Sequence, residues 1–250
     1  MQNRIHVNRT LYALIDNETI EADYQLHLRS RSAMSLCPQL CFLSLRNISV
    51  ATLSQLHNGK NISVSTGISL LAFGEITDVI QRQTEDGNLT VVSFAPGLSL
   101  WEAAVSLSVP AGLSASDTIR QILASTGTGC SLIAYTGDDP IFSRGQTFHG
   151  RAADAIVSVL SAANLSDAVY WTQAGLCIRA DASDPVLIPE LSDSPQQTSA
   201  GFILPVPPAG WSVGQAIRYG DISGLIREIC VDVDNTAGPW KMELLVRQEG

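Results

Sequence analysis

Lysine is nearly absent from this chain: Lys60 and Lys241 stand against thirteen arginines in 250 residues. Only 16% of residues are charged, and the formal net charge is −9. Gripping phosphate backbones needs clustered Lys and Arg, so the composition argues against a nucleic-acid-binding protein. It leaves room for nucleic acid that merely passes by, because a negative wall repels DNA and keeps it from sticking. Long apolar runs are missing too. No stretch approaches the roughly 18–20 residues that cross a bilayer, so no membrane span is expected. The segment Met1–His6 lacks the apolar centre of a signal peptide. A soluble product of the cytoplasm is the expectation.

Chemical motifs are equally scarce. Cys37, Cys41, Cys130, Cys177 and Cys230 form an odd, scattered set, expected to be reduced and mostly buried. Cys37-Pro38-Gln39-Leu40-Cys41 has neither CxxC spacing nor a second pair, so a four-ligand zinc site is not expected. Gly127-Thr128-Gly129-Cys130 starts like a dinucleotide loop, but it follows a helix and Leu132 stands where the third glycine belongs. Asp232-Val233-Asp234-Asn235 with Glu243 mimics the ends of a calcium loop, yet Ala237 replaces the required glycine, and a hairpin turn is the better account. His6, His27, His57 and His149 show no motif pairing with Ser, Cys or carboxylates, and His149 reads as a turn residue before a helix. Six Asn-x-Ser/Thr sequons, beginning at Asn8, read as dressing of strands and turns. No catalytic residue, cofactor or metal site is expected.

What is present is β structure. Hydrophobic residues make up 45% of the chain, enough for a real core. Short alternating runs separated by turns such as Asn58-Gly59 and Asp86-Gly87 fill residues 5–95 and suggest a barrel or sandwich. Leu100–Val109 reads as a strand. Ser114 then opens a helix over Thr118–Ser125 that stops at Gly127. A second helix follows Gly150, with Ala155, Ile156, Val159, Leu160 and Ala163 at helical spacing. Six of the eleven prolines fall in residues 181–210, which read as an extended crossing segment. The expected organisation is a first β-domain over 1–96, a small α/β domain over 97–180, the crossing segment over 181–210 and a second β-unit over 211–250.

The two ends of the chain repeat each other. Phe73-Gly74-Glu75-Ile76-Thr77-Asp78-Val79 matches Ser223-Gly224-Leu225-Ile226-Arg227-Glu228-Ile229, with Gly74 on Gly224, Ile76 on Ile226 and Asp78 on Glu228. Each copy is followed by a turn and a second strand. Ile62–Ser65 and Ser212–Ile217 are the upstream runs. The expected fold is therefore α+β and mostly β: two tube-like β-barrel domains related by the repeat, with the α/β domain between them. Asp78 and Glu228 would face a lumen or an inter-subunit contact.

Arg46-Asn47-Ile48-Ser49, the Thr52–Leu56 stretch, the strand Ile62–Ser65 leading to Gly67, and Gly74-Glu75-Ile76 together resemble the tail hub proteins of tailed bacteriophages. Ser99-Leu100-Trp101, Phe142-Ser143-Arg144-Gly145, and the closing Pro208-Ala209-Gly210-Trp211 extend the resemblance over nearly the whole chain. It implies a homotrimer in which two similar units per chain make a near-sixfold ring. Such a ring would join a tail-tube protein to a tail spike or tip protein, with DNA passing through without specific binding. The place implied is the virion tail, assembled in the host cytoplasm. Two other readings are the base of a contractile-injection or secretion spike, and a small-ligand or glycan-binding β-protein using Trp101, Trp171, Trp211 and Trp240. A hydrolase would rest on Asp232 and Asp234.

Overall fold

The computed structural model describes residues 9–20, 24–166, 168–179, 186–187, 195–204, 211–219 and 222–248. The chain begins with β1 (Tyr12–Ile15), β2 (Glu18–Thr19), β3 (Gln25–Ala33) and β4 (Cys41–Arg46). Helix α1 (Val50–Asn58) leads to β5 (Asn61–Ser65), β6 (Leu70–Thr84) and β7 (Gly87–Ala95). A middle part follows: α2 (Leu98–Glu102), β8 (Ala104–Val109), α3 (Ala115–Thr126), β9 (Leu132–Thr136), β10 (Gln146–Arg151), α4 (Ala152–Ala162), β11 (Val169–Thr172) and β12 (Gly175–Arg179). The last strands are β13 (Val186–Leu187), β14 (Gln196–Gln197), β15 (Gly201–Leu204), β16 (Ala216–Tyr219), β17 (Ile222–Asp234) and β18 (Trp240–Gln248).

Alternation writes most of these strands. In β4, Cys41, Leu43 and Leu45 are buried while Phe42 is exposed, and in β3 Leu26, Leu28 and Ser30 turn inward. The helices are set by their ends. The Ser114 hydroxyl accepts the Asp117 amide at 3.1 Å and opens α3, and Gly127 closes it in a left-handed conformation, φ 66°. Asp139 completes that start, accepting the Ser116 amide at 2.9 Å and its hydroxyl at 2.7 Å. Two readings shift. The run from Leu100 does not begin as a strand, because Gly97 turns the chain at φ 71° into the short helix α2 before β8. His149 lies within β10, paired with Ser106, and not in a turn.

Strands from both ends form one sheet of thirteen strands, β14-β15-β18-β17-β3-β4-β7-β6-β5-β1-β2, with β16 and β13 branching from β17. Two separate barrels are not what this makes. Among the described residues no sheet closes, because β3 pairs with the second half of β17 and carries hydrogen bonding on from one end of the chain to the other. The two ends also share a core: Leu28, Leu43, Val92 and Phe94 belong to the same apolar cluster as Phe202, Ile226, Val233 and Leu244. The middle part has its own, built from Ile119, Ile122, Ile156, Leu160 and Ile178, with Leu36 reaching in from the β3–β4 connection. Strands β13, β14 and β15 come from residues 181–210, and Phe202 there is fully buried.

Candidate functional site

The residues singled out by the repeat fall on two hairpins built alike. In β6–β7, Ile76 pairs with Phe94, and the register then slips before Asp78 pairs with Ser93. In β17–β18, Ile226 pairs with Val246, and the register slips before Glu228 pairs with Leu245. Thr77 and Arg227 are thus the extra residues of two β-bulges at the same point of the motif. A bulge adds one residue to one strand and so reverses which face later side chains occupy. Gly224 and Ile226 are buried before the bulge, and Ile229, Val231 and Val233 after it. Asp78 and Glu228 consequently lie on the sheet face away from the core.

The likeness continues into the neighbours. Ile62 of β5 pairs with Gly74, as Ile217 of β16 pairs with Gly224. Leu43 of β4 pairs with Val92, as Phe202 of β15 pairs with Leu244. Leu28 of β3 pairs with Leu43, as Gln197 of β14 pairs with Phe202. The order β3-β4-β7-β6-β5 is therefore matched by β14-β15-β18-β17-β16. Both glycines lie where a neighbouring backbone presses close. A methyl on Gly74 would lie 2.6 Å from the Ala95 carbonyl oxygen, and one on Gly224 would lie 2.8 Å from the Arg247 carbonyl carbon.

The units meet where β3 runs antiparallel to β17, from Glu228 opposite Ala33 to Asp234 opposite His27. Charges are paired across this joint. Arg31 donates from Nε to Glu228 Oε1 at 2.8 Å and from Nη2 to Oε2 at 2.7 Å. His27 Nε2 lies 2.8 Å from Asp232 Oδ1, and Arg29 Nε lies 3.6 Å from the same oxygen. At the hairpin turn the Asn235 side chain accepts the Leu26 amide at 2.8 Å and donates to the Tyr24 carbonyl at 2.9 Å. Burial alone would push the Glu228 carboxyl up, but hydrogen bonds from Arg31 and the Cys230 thiol, with the guanidinium charge, hold it below its usual range. Cys230 is pushed up to about 12, by burial first and then by the Glu228 carboxylate that its thiol meets at 3.2 Å. Glu228 is thus engaged by Arg31 inside its own chain, on the sheet face away from the core. Asp78 is exposed, and among the described residues no salt bridge reaches it. The sequence held no signal for Arg31 as the partner, because the two residues are 197 positions apart.

Other candidates are not brought together. A cleft of about 790 Å³ between the first unit and the middle part is lined by Asp16, Lys60, Glu75, Cys130 and Trp171 among others. Its carboxylates hold backbone: Asp16 accepts the Lys60 and Asn61 amides at 2.9 Å, and Glu75 accepts the Ser99 amide at 3.1 Å. The four tryptophans are split between two cores. Trp211 is buried in the first and Trp240 packs on it, whereas Trp101 and Trp171 pack on the second. Asp232 is tied to His27, and Asp234 accepts the Thr236 amide at 2.8 Å within the hairpin turn. Among the described residues no group of three or more His, Cys, Asp or Glu could hold a metal ion. No helix of the described residues is long and apolar enough to cross a membrane.

No family model matches the chain, and no curated protein matches its sequence. Solved structures do match. The tail protein from Neisseria meningitidis MC58 is similar with a TM-score of 0.69 and 10% identity, over 96% of this chain and 96% of that one. The 43 kDa tail protein of prophage MuSo2 from Shewanella oneidensis gives a TM-score of 0.67 at 10% identity, over 96% of this chain and 97% of its own. An E. coli component of the type VI secretion system, described as similar to the T4 bacteriophage tail proteins gp27 and gp5, gives 0.67 at 10% identity, over 95% of this chain and 77% of that one. With two like five-strand units joined edge to edge and a helical part between them in sequence, the chain has the fold of phage tail proteins.

Proposed function

We propose that this chain is the structural hub of a bacteriophage tail, without catalytic duty, acting as a homotrimer. Three chains with two like units each make a near-sixfold ring, which joins a sixfold tail tube to a threefold spike or tip. The observation that carries the reading is the strand-for-strand likeness of β3-β4-β7-β6-β5 and β14-β15-β18-β17-β16 in a chain with the tail-protein fold. On this reading residues 1–96 and 211–250, with the strands contributed by 181–210, form the ring, and 97–180 stands beside it. Asp78 and Glu228 lie on the sheet face that lines the channel. The charge pattern suits a channel wall, since Arg31, Arg29 and His27 already face Glu228 and Asp232 and offer a passing polyanion little to hold. The protein belongs to the virion tail, assembles in the host cytoplasm and lets DNA pass without specific binding. Heterologous contacts close a ring when the rotation between copies allows it. Solution mass tests this directly: at micromolar concentration the expected mass is three times the 26.7 kDa of one chain, and a stable monomer refutes the reading.

A second reading, the base of a secretion or contractile-injection spike, is favoured by the likeness to the type VI secretion component. Copurification with a phage tail-tube protein or with a secretion tube protein separates the two.

A further inference from the structure

We infer that the outer edge of β6 at Gln83 and Thr84 is the joint between copies, and that β14 of a second copy adds to it antiparallel. The inference rests on the ring reading above and names its contact.

Each long strand has two halves. The first half of β6 pairs with β5, and the first half of β17 pairs with β16. The second half of β17, Glu228–Asp234, carries β3 on its outer edge. The second half of β6, Asp78–Thr84, has β7 on one side and, among the described residues, no strand on the other. Exposure follows: Val231 and Val233 are buried on β17, whereas Gln81 and Gln83 at the matching places of β6 are exposed, and Ile80 is 39% exposed. An unpaired edge is a row of amides and carbonyls ready to take another strand.

The complementary edge lies at the far end of the same sheet. β14 corresponds to β3, pairing with β15 as β3 pairs with β4. Among the described residues β14 has β15 as its only neighbour. What β3 does for β17 inside the chain, β14 of the next copy does for β6. Register follows from the same correspondence. His27 faces Asp234 and Leu28 faces Val233, so Gln196 of the second copy faces Thr84, and Gln197 of the second copy faces Gln83. Because β14 turns back at Thr198–Ala200, this joint is shorter than the internal one. Pairing joins two unlike edges, so it runs head to tail, the kind of contact that closes a ring where the rotation between copies allows it.

Cysteine cross-linking tests it. Residues directly opposite on antiparallel strands have Cα atoms roughly 4.5–5.5 Å apart, within the reach of a disulfide. In a chain carrying Cys37→Ser to remove the exposed thiol, Gln83→Cys with Gln197→Cys is oxidised and run on a non-reducing gel. A covalent trimer is expected. The pair Gln83→Cys with Gln196→Cys, one register off and on opposite faces, gives none. A three-chain mass with no covalent trimer overturns the joint and leaves the ring. Dimers from Gln83→Cys alone mean that two β6 edges pair with each other, which also overturns it. A monomeric mass overturns both. Hydrogen exchange on the unaltered chain is the second readout: peptides covering Gln83 and Thr84 gain protection when diluted monomer assembles, and unchanged exchange there refutes the joint.

Discussion

Replacing Gly74 or Gly224 with alanine probes the feature on which the two units rest. At Gly74 the new methyl meets the Ala95 carbonyl and Pro96 nitrogen, at 2.6 and 2.8 Å for the nearest oxygen and nitrogen. At Gly224 it meets the Arg247 carbonyl, with a Val246 methyl 3.1 Å away. Backbone cannot swing aside as a flexible side chain does, so the strands must part. Overpacking of this kind costs about 1–3 kcal/mol, and a strand hydrogen bond lost in the shift adds about 1 kcal/mol. Alanine recovers roughly 0.4–1 kcal/mol by restricting the unfolded chain. The net expectation is a loss of about 1–3.6 kcal/mol at each site. For a chain of this size each kcal/mol moves Tm by roughly 2–4 °C, so a fall on the order of 2–14 °C is expected. Urea unfolding followed by tryptophan fluorescence measures it, since Trp211 and Trp240 report on the core these strands cover. Two variants both within about 0.5 kcal/mol of the parent, the range of an ordinary surface change, would refute the close-approach argument. A large cost at one glycine and none at the other would refute the correspondence of the units.

Two further outcomes follow from the joint between β3 and β17. Glu228 is held below its usual 4.5 in the folded chain, so its contribution is present above that value and is lost as pH falls through the folded one. Glu228→Gln is expected to cost about 0.5–1 kcal/mol near pH 7, since Arg31 is largely exposed, and the gap to the parent should close in acid; a gap that is constant with pH contradicts the ion pair. Thiol labelling of the folded chain at pH 8 should mark Cys37 first, because it is exposed while burial pushes Cys41 to about 11 and Cys230 to about 12. Equally fast labelling of Cys230 in mass-spectrometric peptide maps would contradict its burial beside Glu228.

What could be read from the sequence was local. Alternation at Cys41–Arg46 gave a strand, Ser114 and Gly127 bounded a helix, and the Gly-x-Ile-x-acid pattern marked two like hairpins, whose bulges only the strand register shows. These signals work because a strand period, a cap and a turn are each decided within a few residues. Other elements escaped because their cause is not local. The proline content of residues 181–210 hid β15, whose strand character comes from pairing along β18, and β14, which pairs along β15. A run of apolar residues after Gly97 hid the short helix α2.

The sequence by itself determined a mostly β chain with helical turns at its middle and two like hairpins at its ends. Only the tertiary structure decided that those hairpins join, among the described residues, in one sheet and one core, and that Glu228 is spoken for by Arg31 while Asp78 stands exposed. The physical reason is that side-chain alternation marks which face of a strand is covered, as at Val231 and Val233, but not which strand covers it. That β3 takes the edge of β17 is settled by backbone hydrogen bonding between residues some two hundred positions apart, which the order of residues does not record.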